Sequence, residues 1–283
     1  MRRLFDLVIN FPTAVITVVF TCLTLGILVF LSFRIHDGSL LGSGITLGNF
    51  LEVATDPLYS DIMKRSLVIS ALATLATIAL AFPVAYYLAL VVRPDRRNRM
   101  LMLVTLPFWI SYLLRVFAWK IILGYNGILN SGLVGIGVID EPLSWLLYTP
   151  TAVVITLAHA YAAFAVLPIY VCLSAISGNL LEAARDLGAN GRQVFVRIIL
   201  PLSMPGVMAA SAVVFIPTLG DYVTPILVGG PDSTMIGNLI QSEFGKANNW
   251  QLGAALALTT LMVVLLLSAL QQLTGRVHRR LLA

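Results

Sequence analysis

The sequence predicts an all-α membrane protein with six transmembrane helices in a single domain, residues 1–283. Of these residues, 59% are hydrophobic and only 11% are charged, and the mean hydropathy is +0.93. A soluble globular domain usually carries about 25% charged residues. Six stretches approach or exceed the length of about 20 apolar residues that a helix needs to cross a bilayer. They lack the alternation of barrel strands, and backbone groups in lipid must be satisfied within the segment, so helices are expected.

The first three predicted spans lie in the N-terminal half of the chain. Thr13–Phe33 is longer than the apolar part of a signal peptide, about 7–15 residues, and lacks a clear small-residue cleavage site, so we predict a spanning helix. Ser66–Val92 and Met100–Leu123 follow. The connection between them, Arg93–Arg99, holds four Arg and one Pro and predicts a tight basic hairpin at anionic headgroups.

The last three predicted spans are Pro150–Leu173, Pro201–Thr224 and Gly253–Leu273. Pro217 and Gly220 predict that the fifth helix is loosened near its outer end. Between the fifth and sixth spans, a Gly-Gly-Pro break precedes an apolar-periodic run from Met235 to Phe244, which predicts a short amphipathic helix at the membrane surface.

The distribution of basic residues predicts the orientation of the chain. Of 18 Lys and Arg residues, twelve fall in the connections on one side of the predicted spans. The positive-inside rule places that side in the cytoplasm, together with both termini. The basic charge is thereby explained by the lipid membrane, and no nucleic-acid partner is expected. The twelve residues are Arg2, Arg3, Arg93, Arg96, Arg97, Arg99, Arg185, Arg192, Arg197, Arg276, Arg279 and Arg280.

The sequence contains no motif for nucleotide hydrolysis or metal catalysis. A phosphate-binding loop needs Gly, four residues and Gly-Lys-Ser/Thr, and the one Gly-Lys pair, Gly245-Lys246, is followed by Ala247. The three His residues are far apart, and neither an HExxH pair nor a Cys/His cluster is present. We therefore expect no enzymatic activity and no cofactor bound by this chain.

Polar and aromatic residues inside the predicted spans are candidates for a substrate path, since ionisable groups are costly in lipid. Asp221 can bind an amine, or it can form a plain ion pair with Arg115 or be an interfacial residue. Arg115 can also tie helices together through carbonyl groups. Trp109 and Tyr112, three residues apart, would share a helix face and can attract an organic cation or serve ordinary packing. His159 is expected to make a polar contact between helices.

Residues 177–201 form a charged, Gly-punctuated segment between two predicted spans. Its pattern is Glu182-Ala183-Ala184, three residues, Gly188, nine residues, Ile, one residue and Leu-Pro. Ser177 or Asn179 can cap a helix there, Glu182 is expected in its first turn, and Gly188 can end it. A short, exposed docking element is predicted.

This spacing resembles the EAA loop of ABC-importer permeases, and the resemblance covers nearly the whole chain. It is closest to permeases of spermidine/putrescine-type importers. The other segments that carry it are Leu106-Pro107-Phe108-Trp109, Leu114-Arg115, Ala118-Trp119, Gly127–Asn130, Leu200–Gly206, Phe215-Ile216-Pro217, Gly229-Gly230-Pro231 and Met235-Ile236-Gly237.

The resemblance implies the type I importer-permease fold in a bacterial inner membrane. It also implies a second, homologous permease, two ATPase subunits that bind ATP and Mg, and an extracytoplasmic substrate-binding protein. Transport would proceed by alternating access. The residues implied in coupling to the ATPase are Glu182, Ala183, Ala184, Arg185, Asp186 and Gly188.

Several alternatives to a polyamine permease stay open at this stage. Opines or other amino-acid-derived solutes are carried by similar importers, and an anionic cargo would make Arg115 and Lys120 the ligands. An ATP-independent channel or secondary transporter would show inverted repeats or facing intramembrane charges, and neither is clear here.

Overall fold

The computed structural model describes the backbone of residues 2–282 and the side chains of residues 15–271 and 273. Short strands β1 (Arg34–Ile35) and β2 (Ser43–Ile45) form an antiparallel hairpin. The helices are α1 (Arg2–Ser32), α2 (Gly48–Thr55), α3 (Pro57–Tyr86), α4 (Pro94–Thr105), α5 (Tyr112–Leu123), α6 (Ile128–Gly135), α7 (Pro150–Ser174), α8 (Gly178–Asp186), α9 (Gly191–Val194), α10 (Leu200–Leu219), α11 (Val223–Val228), α12 (Ile236–Gly245) and α13 (Trp250–Leu282).

The helices confirm the prediction of an all-α membrane protein. Within the described residues, five helices are long and apolar enough to cross a membrane, and a bent pair supplies a sixth span if it is counted as one. The fourth predicted span matches α7 to within one residue at its C-terminal end. The second begins nine residues earlier than predicted, because α3 starts at Pro57 and continues through a π-helical turn to Val91.

The prediction that the third span, Met100–Leu123, is one continuous helix was wrong. After α4, a 3₁₀ turn covers Leu106–Trp109, and the chain is extended at Ile110 before α5 begins. The two arms of the bent pair meet at 84°. Pro107 lies in the 3₁₀ turn, and because its ring lacks an N–H donor it cannot continue the hydrogen-bond pattern of α4.

The predicted loosening of the fifth span is confirmed. A continuous apolar helical segment runs over Gly191–Leu219, through α9, a π-helical turn at Phe195–Ile199 and α10. It ends before Gly220, so Asp221 lies in the break that precedes α11. The predicted short helix after the Gly-Gly-Pro break is present as α12.

The chain divides into two compact units: Met1–Asp61 with Leu239–Leu265, and Ile62–Asn238 with Leu266–Ala283. The prediction of one domain stays a prediction. In the first unit, Gln251 is buried and donates to the carbonyl oxygens of Ser39 and Leu40 at 3.1 and 3.2 Å.

In the second unit, α10 packs closely on α7. One cluster of buried residues includes Leu88, Ile169 and Val214, and a second includes Val116 and Leu157. A Cβ atom added at Gly206 of α10 would lie 2.6 Å from the carbonyl oxygen of Pro168. Only glycine fits this close approach of the two helices without a shift of backbone.

Candidate functional site

Helix α8 presents one face to its own unit and one face to the surroundings. Leu181 and Ala184 pack against the cluster that contains Leu88. Glu182, Ala183, Arg185 and Asp186 are exposed, and Leu187, which follows the helix, is 89% exposed. Leu187 therefore adds one large apolar side chain to an exposed charged face.

The turn after α8 is built on Gly188, which has a φ of +80°. The Gly188 N–H donates to the carbonyl oxygen of Arg185 at 2.8 Å, and the Ala189 N–H donates to the carbonyl oxygen of Ala184 at 3.0 Å. These two bonds form a Schellman motif, which satisfies the last carbonyl groups of the helix. No atom lies within 4 Å of a Cβ built at Gly188, so backbone conformation, not space, requires glycine there.

A second cap starts the return helix only two residues later. The N–H of Gln193 donates to the side-chain oxygen of Asn190 at 2.9 Å, and the N–H of Asn190 donates to the side-chain oxygen of Gln193 at 2.8 Å. This reciprocal capping box fixes the start of α9. Both ends of the loop are therefore defined by local hydrogen bonds.

Two details of the predicted loop were wrong. Ser177 occupies the N-cap position without a side-chain cap bond, and α8 starts at Gly178, so Glu182 is beyond the first turn. The carboxylate is too far along the helix for the expected favourable interaction with the first turn's N–H groups. Ala184 faces the chain's own core, which leaves Ala183 as the exposed alanine of the motif.

A buried polar cluster surrounds Asp221, at the break between α10 and α11. Asp221 is 8% exposed. One carboxylate oxygen accepts from the Val223 N–H at 2.9 Å, and the other accepts from the Tyr112 hydroxyl at 2.5 Å. The Tyr112 hydroxyl also lies 2.6 Å from the Thr224 hydroxyl. Breaks in two predicted spans thus meet around one carboxylate.

Arg115 lies one turn beyond Tyr112 on α5 and is also 8% exposed. Its guanidinium donates to the carbonyl oxygen of Ala160 on α7 at 2.5 Å. This is the predicted contact by which Arg115 ties two helices together through a carbonyl group. Its Nε is buried without a hydrogen-bond partner, and its Cζ lies 5.8 Å from the centre of the Tyr112 ring. Among the described residues, Arg115 and Asp221 form no ion pair, so that alternative for Asp221 was wrong.

Trp109 does not join this cluster. Its side chain is 88% exposed, and the break at Ile110 separates it from α5, so the shared helix face expected with Tyr112 does not exist. The ring of Tyr112 lies instead 6.1 Å from that of Tyr161 on α7. His159 packs edge-on against Trp119 at 5.4 Å, a contact between α7 and α5.

Sequence reasoning missed Thr224 and Tyr161 as members of the cluster. Thr224 lies three residues after Asp221, and its hydroxyl contacts the Tyr112 hydroxyl that donates to the carboxylate, so that spacing was a usable signal. Tyr161 lies in a mostly apolar stretch on a helix distant in sequence, and no local pattern indicates its neighbour.

The first unit carries acidic groups close together outside the spans. Burial raises the pKa of Glu243 on α12, and the nearby Glu52 carboxylate raises it further, while His36 opposes the shift. The hydroxyl of Tyr59 lies 3.5 Å from a carboxylate oxygen of Glu52.

Comparison with known proteins places these features in one family. The family model of the binding-protein-dependent transport system inner membrane component matches residues 44–282. The spermidine/putrescine transport system permease protein PotB of Haemophilus influenzae is 39% identical over 238 residues, which cover 83% of this chain and 82% of the relative. PotB of Escherichia coli K12 is 39% identical over 229 residues, covering 81% and 82%. The inner membrane ABC transporter permease protein YdcU of the same organism is 32% identical over 243 residues, covering 82% and 76%.

Solved structures agree on the fold. A chain of the bacterial alginate ABC transporter, crystallised with a periplasmic protein bound to alginate pentasaccharide, superposes with a TM-score of 0.74 at 19% identity, covering 98% of this chain and 96% of that one. A chain of the inward-facing MetNI methionine transporter gives 0.54 at 18% identity, covering 79% and 95%. These similarities confirm the predicted type I importer-permease fold. The chain belongs to the family of binding-protein-dependent transport system inner membrane components, as a permease subunit of an ABC importer and not an enzyme.

Proposed function

We propose that this permease forms the path by which a polyamine, spermidine or putrescine, or a similar cationic amine enters a bacterial cell by alternating access. The observation that carries the cargo assignment is the 39% identity to spermidine/putrescine permeases over more than four fifths of the chain. A buried carboxylate at a break in two spans supports it, because discontinuous helices commonly form the midplane binding sites of transporters.

In the proposed orientation both termini and the connection between α3 and α4 lie in the cytoplasm. Arg93 and Arg96 in that connection flank Asp95, with nitrogen to oxygen distances of 3.3 and 4.0 Å. Their side chains are largely exposed, as expected at an anionic membrane surface. The connection that holds α8 falls on the same side.

The complete importer is proposed to contain a second, homologous permease, two ATPase subunits and an extracytoplasmic substrate-binding protein. The ATPase subunits bind ATP and Mg, and this chain binds neither. Glu182, Ala183, Arg185 and Asp186 form the surface that enters a cleft of one ATPase subunit, with Leu187 as its apolar contact. The Schellman turn at Gly188 makes α8 a rigid lever, so that movement of the ATPase cleft is passed to α10.

Along the path, the amine is proposed to bind Asp221 beside Tyr112. Each carboxylate oxygen accepts one hydrogen bond in this conformation and has capacity for another. An ammonium group can therefore bind without complete loss of the existing contacts. The positive charge of Arg115 repels cations and so lowers the affinity of the site for the amine, which favours release.

A second candidate cargo is an opine or another amino-acid-derived solute. The unpartnered, buried Nε of Arg115 favours it, because a carboxylate of such a solute would satisfy that donor. An ATP-independent channel is disfavoured by the exposed coupling loop, which such a protein does not need.

Uptake of labelled putrescine and spermidine tests the cargo. Cells that lack their own amine uptake would carry the complete transporter, or the same subunits without this chain. We expect uptake only with the complete set, and no competition by unlabelled opines. Failure of both amines to accumulate, with all subunits present in the membrane, would contradict the polyamine assignment.

A further inference from the structure

A long groove lies along α3 in the second unit, away from the polar cluster. Its volume is about 840 Å³, and its walls are mostly apolar. Val68, Leu72 and Leu75 of α3 form one wall, and Val154 of α7 contributes to the other. The three α3 side chains are well exposed, so the groove opens to the surroundings of the span and not to the interior of the unit.

Charged side chains lie at one end of this groove only. Lys64 and Arg65 line it at the N-terminal end of the wall formed by α3, and Asp232 lines it as well. Arg65 donates to the carbonyl oxygen of Pro231 at 3.3 Å, which holds the guanidinium beside Asp232. Two cations and one carboxylate therefore border the mouth of the apolar groove.

The dimensions fit one lipid chain. From Arg65 to Ala79, the last lining residue of α3, the helix rises about 21 Å at about 1.5 Å per residue. Half of the hydrocarbon core is about 15 Å thick, so the groove is deep enough for an acyl chain of one leaflet. The charged mouth then lies at the level of the headgroups, where long basic side chains are favoured.

We propose that the groove binds a phospholipid whose headgroup carries both a phosphate and a primary ammonium, as in phosphatidylethanolamine. The phosphate contacts Lys64 and Arg65, the ammonium contacts Asp232, and one acyl chain lies against Val68, Leu72 and Leu75. An anionic headgroup without an amine would leave Asp232 facing a phosphate. A choline headgroup has no N–H to donate to the carboxylate. In the orientation proposed above, the lipid belongs to the outer leaflet.

Lipid retention by the purified complete transporter tests this site. Phosphatidylethanolamine, phosphatidylglycerol and phosphatidylcholine with identical acyl chains would be added separately, and bound lipid counted by native mass spectrometry. We expect phosphatidylethanolamine to be retained best. Lys64→Gln and Arg65→Gln should each lower its retention by about two- to fivefold, the scale of an exposed ion pair. Asp232→Asn should remove the advantage over phosphatidylglycerol.

Matched controls separate the site from general charge effects. Lys246→Gln and Asp140→Asn remove exposed charges elsewhere and should leave retention unchanged. Leu72→Trp fills the groove and should lower retention without changing any charge. Equal retention of the three lipids, or no response to Asp232→Asn and Leu72→Trp, would overturn the proposal.

A photoreactive residue at position 72 identifies the occupant directly. Crosslinking to phospholipid supports the site, whereas crosslinking to a helix of the partner permease would overturn it. Amine uptake does not enter either measurement, so failure of the lipid site leaves the proposed transport function intact.

Discussion

Replacement of Gly188 by Ala is expected to uncouple the transporter. The residue has a φ of +80°, and a residue with a Cβ pays about 1–2 kcal/mol in the left-handed region. No atom lies within 4 Å of the added Cβ, so this strain is the whole cost and no clash contributes. A penalty of about 1–2 kcal/mol changes an equilibrium by about five- to thirtyfold. The strained turn is therefore expected to weaken the docked form of α8 by that factor.

Gly178→Ala is the matched control. It makes the same chemical change at the other end of α8, also with no atom within 4 Å, but Gly178 has an ordinary φ. Gly188→Asn should be milder than Gly188→Ala, because asparagine tolerates the left-handed region better.

The assay is amine uptake per ATP hydrolysed by the complete transporter in proteoliposomes, normalised to the amount of permease. Gly188→Ala should lower this ratio about fivefold or more, while Gly178→Ala stays at the parent value. Equal ratios for the two alanine variants would refute the assignment of Gly188 to a rigid coupling turn.

Three further predictions concern stability. Tyr112→Phe removes the hydroxyl that donates to the buried Asp221 carboxylate. It should lower the free energy of unfolding by about 1–3 kcal/mol, read as a lower melting temperature; a melting temperature equal to that of Tyr125→Phe, an exposed control, would contradict it. Gly206→Ala forces a methyl group against the carbonyl of Pro168 and should cost about 1–3 kcal/mol by the same measurement; an unchanged melting temperature would show that α10 can move away. Because the pKa of Glu243 is raised above its ordinary 4.5, the folded state binds the proton more tightly and loses stability as pH rises from that value through the raised pKa; Glu243→Gln should remove this loss, and parallel curves of melting temperature against pH for parent and variant would contradict the shift.

The helical architecture could be predicted because hydropathy alone decides which segments enter a bilayer. The turn at Gly188 could be predicted for a different reason: its hydrogen bonds join residues at most five positions apart, and glycine is the residue that such a turn demands. Both signals are local in the sequence.

The break in the third span was missed because averaged hydropathy does not register backbone geometry. Pro107 was visible in the sequence, but proline is also tolerated in spanning helices where other groups satisfy the backbone. The error carried over to Trp109, since a shared face with Tyr112 requires an unbroken helix between them.

The partner of Asp221 could not be predicted because it depends on which helices pack together. Opposite charge suggested Arg115, but the carboxylate accepts from Tyr112, 109 positions earlier, and the guanidinium donates to a carbonyl group of α7. A neutral hydroxyl and a backbone carbonyl carry no charge signal in a sequence.

We propose above that an amine passes Asp221 on its way through this permease. Uptake of labelled putrescine and spermidine by cells with the complete transporter tests it most directly, with Asp221→Asn compared against the parent and against Asp140→Asn, an exposed carboxylate outside the path. We expect uptake to collapse in Asp221→Asn alone, at equal amounts of permease in the membrane. Uptake of both amines at the parent rate by a well-expressed Asp221→Asn transporter would contradict it.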